Sequence, residues 1–364
     1  MKVKKTIALI LFCAGIAGWY GYSRLPVRVN LTSEEREHVT HFLKERTTRC
    51  VGRYLVDLPE TFTITSDDVM AFVDTSSVKY QRIYRPAFEQ KIRLREAELS
   101  ATKTLNPLDM PYLKRVYFLS DDMQGVIFER NEYFQVPDSS RVLEAHIYTN
   151  GVAVEITIEA RNGLSRRYDK DRKDTPEIYD NNVPKKLVEL TDLLRRMSGK
   201  QENEIPNEPG FCLPELFIKD GITQPNEEIS ANYISQKYPE VTFYFDSDNY
   251  SDSDDSLLER GAMMERNIKQ AEGNTISSGP RNINGLYAEQ WLAKGLLSDT
   301  YGEKALRFVI NINEKTVSPK HPMLSLTFLQ QGLEGEGRLT EAEAVSIWQQ
   351  ITDTIRIRPN AIAK

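Results

Sequence analysis

The chain has little of what enzymes are usually built around: three cysteines and four histidines in 364 residues. It has no His-Glu-x-x-His run and no Cys-x-x-Cys pair, which removes the common zinc arrangements. His38 and His41 stand three apart in a polar stretch that reads as a solvated helix face. His146 lies in an alternating stretch, and His321 precedes Pro322; both read as packing or surface residues. No Gly-x-Ser-x-Gly elbow occurs, and the nearest text, Ile276-Ser277-Ser278-Gly279-Pro280, lacks its first glycine. No Gly-x-Gly-x-x-Gly and no Walker loop occur either, so nothing points to a nucleotide. The expectation is a protein that is not an enzyme, with no catalytic residue, no metal and no cofactor. Basic excess is missing too. The formal charge is −6, and without the three lysines of residues 1–23 the remainder carries −9, which disfavours nucleic acid or anionic lipid as the main partner.

What the chain does have begins at the amino terminus. Lys2, Lys4 and Lys5 precede an apolar run from Thr6 to Tyr22 that ends on aromatic residues. Charge followed by an apolar run is the order of an export segment, and residues 1–23 are expected to be a signal anchor or a cleaved signal peptide. The run is near the minimum for a membrane span, and Gly15-Ile16-Ala17 offers a small-x-small cleavage site, so both readings stand. Either one places the body in the periplasm, anchored through residues 6–22 or soluble after cleavage.

Of the cysteines, Cys50 and Cys212 belong to the body. Export permits a disulfide between them, and two separately packed thiols fit the spacing equally well. Each cysteine opens a similar stretch. In Cys50-Val51-Gly52-Arg53-Tyr54-Leu55-Val56-Asp57-Leu58-Pro59, Tyr54, Val56 and Leu58 alternate with Leu55 and Asp57 as in a strand that Pro59 ends, and Gly210-Phe211-Cys212-Leu213-Pro214-Glu215-Leu216-Phe217-Ile218 is a looser copy of the stretch. Three landmark pairs share nearly one offset: Cys50 and Cys212 at 162 residues, Gly125 and Gly285 at 160, Asp192 and Asp353 at 161. Glu129 and Glu289 each stand four residues after the paired glycine. Leu190 and Ile351 fall at the same place in two expected closing helices.

The spacing therefore predicts an α+β fold with two related domains from an internal duplication, each a mainly antiparallel sheet packed with helices, after an N-terminal export helix. The expected boundaries are 24–49 for a linker and helix, 50–199 for the N-terminal domain, 200–209 for a polar linker and 210–364 for the C-terminal domain. Thr32 with Glu35, and Thr340 with Glu343, read as capping boxes that start helices. Asn150-Gly151 between two alternating runs reads as a tight hairpin. The charged stretch from Arg161 to Lys173 reads as a solvated loop, and a helix is expected from about Ser256 to Gln270.

One acidic cluster stands out: Asp246, Asp248, Asp252, Asp254 and Asp255, between an aromatic strand and a helix. It lacks the glycine and glutamate of a calcium-binding EF-hand loop, and reads as a flexible loop or a partner-facing acidic patch. The cysteine-led opening Cys50 to Pro59 and the Gly210-Phe211-Cys212 opening of the second block resemble the two-domain immunity proteins that neutralise lipase effectors of the bacterial type VI secretion system. The resemblance covers about Cys50 to Arg358 and implies stoichiometric occlusion of a cognate lipase or phospholipase effector in the periplasm. It assigns no contact residues. A membrane-anchored envelope scaffold and an envelope hydrolase are the alternative readings.

Overall fold

The computed structural model describes residues 29–120, 123–296, 302–333, 335 and 337–362. The export segment lies outside them. Among the described residues, no helix is long and apolar enough to cross a membrane.

Internal contacts group the chain into two units that the backbone visits alternately. The N unit holds Cys50–Arg53, Thr65–Ile229 and the segment from Pro359. The C unit holds residues 29–49, Tyr54–Ile64 and Ser230–Arg358. This spatial grouping differs from a division into consecutive blocks. Residues 210–229 pack with the N unit, and most of 30–64 packs with the C unit.

The first helix, α1 (Ser33–Phe42), opens on the expected capping box: Thr32 Oγ1 accepts from Glu35 N, and Glu35 accepts from Thr32 N. The alternation of Tyr54, Val56 and Leu58 forms the expected strand ending at Pro59, and Cys50 belongs to a separate strand before it. β1 (Arg46–Val51) ends where Gly52 turns the chain at φ 60°, and β2 (Tyr54–Pro59) resumes after it. β3 is Phe62–Thr63.

In the N unit follow β4 (Val69–Val73), β5 (Ser76–Arg82), α2 (Arg85–Ala101), β6 (Leu113–Phe118), β7 (Gly125–Asn131), β8 (Ser140–Thr149) and β9 (Val152–Arg161). Next come α3 (Asp169–Asp174), α4 (Val183–Arg195) and three short strands, β10 (Met197–Gly199), β11 (Gly210–Cys212) and β12 (Leu216–Lys219). The C unit contributes β13 (Glu227–Ser235, begun in the N unit), β14 (Val241–Asp248), α5 (Gly261–Gln270), β15 (Asn274–Ile283), β16 (Leu286–Leu296), β17 (Lys304–Ile312), β18 (Met323–Gln331), α6 (Glu341–Thr352) and β19 (Arg356–Ile357).

The two main sheets have the same plan. In the N unit the strands lie in the order β4-β5-β9-β8-β7-β6, and in the C unit in the order β13-β14-β18-β17-β16-β15. Each has two strands, a helix, a four-strand meander and a closing helix. Neighbouring strands within each meander pair antiparallel. In the C unit, α6 closes one face: Trp348, Phe308 and Phe328 are fully buried, with Phe308 stacked on Phe328 at 5.2 Å and Trp348 edge-on to Phe308 at 6.0 Å. Each such side chain contributes roughly 1.5–3 kcal/mol of burial. In the N unit, α4 lies against β8 and β9, and Leu190 and Leu194 are buried.

The structure sharpens one correspondence and corrects another. Asn150 and Gly151 (φ 48° and 83°) make the expected two-residue turn between β8 and β9. Asn284 and Gly285 (φ 51° and 85°) make the same turn between β15 and β16. Gly125, in contrast, is glycine because the carbonyl of His146 lies 2.3 Å from where a Cβ would stand. Glu129 and Glu289 are not spatial equivalents. Phe128 packs with Leu99 of α2, so Glu129 points to the opposite face, whereas Glu289 accepts from Leu258 N on the α5 side. At an offset of 161, Glu129 instead aligns with Gln290, which accepts from Trp348 Nε1 of the closing helix. A one-residue slip exchanges the faces of a strand, and the 160-residue offset was wrong by that one residue here.

Candidate functional site

Cys50 and Cys212 are joined by a disulfide within the N unit, with Cα atoms 5.7 Å apart and 162 residues enclosed. Gly52 and Cys212 exchange both backbone hydrogen bonds, at 2.9 and 2.8 Å, so the two similar stretches pair with each other. Next to them Arg53 is 1% exposed, and all five of its N–H groups are used. It grips Asp220 through two nitrogens at 2.7 and 3.1 Å, Glu227 through two at 2.8 and 3.0 Å, and donates to the carbonyl of Ala361. Burial would lower the Arg53 pKa, but the bonds from Asp220 and Glu227 raise it above the usual value. Burial also holds Glu227 above the carboxylate range. With every N–H of Arg53 engaged, this node fastens the segments that carry Asp220, Glu227 and Ala361 to one another.

The five aspartates do not form one patch. Asp246 and Asp248 lie within β14: Asp246 accepts from Ser230 Oγ at 2.6 Å, and buried Asp248 accepts from the backbone N–H groups of Tyr250 and Ser251 at 3.0 and 2.7 Å. Only Asp252, Asp254 and Asp255 are exposed. The following helix starts later than expected, at Gly261, after a turn in which Ser256 and Glu259 bond each other's backbone N–H groups.

Under α2 the N unit carries a buried ion cluster. Arg95 holds both Glu144 oxygens at 2.7 and 2.8 Å, Arg130 adds a bond at 2.6 Å, and His146 Nε2 lies 3.0 Å away. Burial would push the Glu144 carboxyl up, but the bonds from Arg95, His146 and Arg130 outweigh it and hold it well below the usual carboxylate range. His146 thus serves as a buried partner. His38 meets Glu343 at 2.8 Å, where the two capping boxes lie side by side and Thr340 Oγ1 donates to Glu35. Among the described residues, no group of three or more acidic, histidine or cysteine side chains is arranged to hold a metal ion.

Six of the sixteen exposed large apolar residues among those described lie at one end of the N-unit sheet, where β6 begins, β7 ends, β8 begins and β9 ends. Leu105, Leu108, Tyr133, Phe134, Leu164 and Ile178 are each 48–73% exposed there. The loops that carry them are tied together from below. Leu105 N donates to the carbonyl of Phe134 at 2.8 Å. Buried Asp109 accepts from Asp138 N at 3.0 Å and from Arg167, and its carbonyl accepts from Lys114 Nζ at 2.8 Å and Asn131 Nδ2 at 2.9 Å. Tyr168 donates to Asp138 at 2.8 Å, and Arg167 stacks over the Tyr168 ring at 4.5 Å. Burial pushes Asp138 up, but Tyr168 and the cations Arg141, Lys114 and Arg167 bring it below its ordinary value. The stretch expected to be a solvated loop is therefore partly ordered. It forms a 3₁₀ turn and α3, and Arg167 and Tyr168 dock it. The sequence offered no sign of this end, because isolated Leu and Tyr residues in loops carry no periodicity.

Residues 47–200 match the Tle cognate immunity protein 4 N-terminal domain, and residues 204–360 match its C-terminal domain. The chain belongs to this immunity-protein family. The fold agrees with solved structures at low identity. A "Tle4-Tli4 complex" structure matches with a TM-score of 0.68 and 18% identity, over 87% of this chain and 99% of that one. The immunity protein TplEi of the type VI secretion system from Pseudomonas aeruginosa matches in its apo form with a TM-score of 0.67 and 20% identity, over 86% and 97% of the two chains. Its complex with an "L" peptide matches at 0.63 and 19%, over 87% and 99%. No curated protein matches this chain.

Proposed function

We propose that this chain protects its cell by binding a cognate type VI lipase effector in the periplasm and inhibiting it by stoichiometric occlusion, without catalysis of its own. The observation that carries the reading is the family match in two consecutive domains that together span nearly the whole body. The matching strand order of the two sheets supports an internal duplication, with 50–199 and 210–364 as its two sequence halves. The Cys50–Cys212 disulfide suits an oxidising compartment. Residues 6–22 act as the inner-membrane anchor or are removed with a signal peptide; they lie outside the described residues. Asp252, Asp254 and Asp255 steer the approach of a basic effector, and Asp246 and Asp248 serve the strand instead.

The test is a titration of the purified body, residues 24–364, into the lipase encoded beside its gene, with release of fatty acid as the readout. Hydrolysis should fall linearly to an end point at one protein per lipase, and the body alone should release none. Undiminished hydrolysis at excess would remove the immunity reading and favour the scaffold. Turnover by the body alone would favour the hydrolase.

A further inference from the structure

We infer that the apolar end of the N-unit sheet is the principal docking surface for the effector; the inference rests on the immunity reading. Six large side chains, each half to three-quarters exposed, present on the order of 600 Å² of apolar surface. That is at the upper limit of the largest patch on an ordinary monomer, about 300–600 Å². It also approaches the ~800 Å² per partner of a standard protein interface. Exposed aromatic residues such as Tyr133 and Phe134 are of the types enriched at interface centres.

Two further observations favour a protein partner. The side chains stand on loops fastened by the Asp109, Asp138, Arg167 and Tyr168 network, so little ordering is needed on binding. The loops are of mixed charge and the body is acidic, which disfavours an anionic bilayer.

The experiment compares wild type with a variant carrying Leu105→Glu, Leu108→Glu, Tyr133→Ala and Phe134→Ala, and with a control carrying Tyr287→Ala and Met263→Ala in the C unit. Binding to the purified lipase is measured by biolayer interferometry. The four-site variant should bind about 100-fold more weakly or worse, with an unchanged thermal midpoint, and the control should bind within about threefold of wild type. Hydrogen exchange on the wild-type complex should protect residues 102–112 and 132–139, a readout that does not depend on the variant folding. Wild-type affinity in the four-site variant, or no protection in those loops, would overturn the docking surface while leaving the immunity reading intact. Absence of any wild-type binding would instead overturn the immunity reading and this inference with it. Capture of wild type by phosphatidylethanolamine–phosphatidylglycerol vesicles, lost in the variant, would transfer the patch to a membrane and overturn the protein partner.

Discussion

The two main sheets share one strand order, and both pack apolar side chains under their first helices, but only the N unit adds a buried ion cluster there. In the N unit, α2 lies over Glu144 gripped by Arg95, Arg130 and His146. In the C unit, α5 lies over Leu257, Trp291 and Ala293, with Met264 and Ile268 packed against them. The lesson is that strand order leaves the chemistry of a face open. A charged cluster holds a helix where its partners are fully arranged, and an apolar cluster holds one through area alone.

Breaking each covering tests the comparison. Glu144→Ala leaves two guanidinium groups and a histidine without their acceptor and should lower stability by about 3–5 kcal/mol, read from urea unfolding. Trp291→Ala opens a cavity under α5 in the C unit, with an expected loss of about 3–5 kcal/mol. If the units unfold separately, the first should move only the N-unit transition and the second only the C-unit transition. Fluorescence of Trp348, in the C unit and kept in both variants, against circular dichroism of the whole chain separates them. Next in size, replacing both Cys50 and Cys212 with serine reopens the 162-residue loop and should lower N-unit stability by about 2–4 kcal/mol. An unchanged urea midpoint would show that the backbone pairing of Gly52 with Cys212 suffices.

The ionic covering also predicts a pH dependence that the apolar one lacks. The folded Glu144 pKa is depressed, so its contribution is complete above the unfolded value of about 4.3 and is lost as pH falls through the folded value. The stability gap between wild type and Glu144→Gln should therefore be widest near pH 7 and narrow steadily below pH 4. A gap independent of pH would mean that the cluster acts through shape alone. The smallest expected effect concerns the acidic loop. Replacing Asp252, Asp254 and Asp255 with asparagine should slow association with the lipase a few-fold at low salt and hardly at all at 0.5 M salt, by stopped-flow fluorescence.

Much of the architecture was legible because it rests on local physics. Both capping boxes form, and the Asn150-Gly151 turn is where alternation on either side required it. β15 escaped notice because Gly279 and Pro280 interrupt it; as the edge of its sheet it tolerates a proline that a central strand would not. β6, the opposite unit's edge strand, is half-buried and mixes apolar with basic residues, without alternation to betray it. The candidate site was far less legible. Asp246 and Asp248 differ from Asp252 only in that β14 runs on long enough to enlist them. Leu105 and Leu108 look like any loop leucines until the surrounding chain fails to cover them.

The sequence alone determined the secondary-structure elements held by period and caps, the acidic balance of the body and the near-constant offset between its halves. Those signals are written in neighbouring residues or in composition. Only the tertiary structure decided that Cys50 meets Cys212, that Glu129 and Glu289 face opposite ways, and which apolar side chains stay in solvent. Each of these depends on strand register and on contacts between residues far apart in the chain, where a shift of one position reverses what is buried and what is shown.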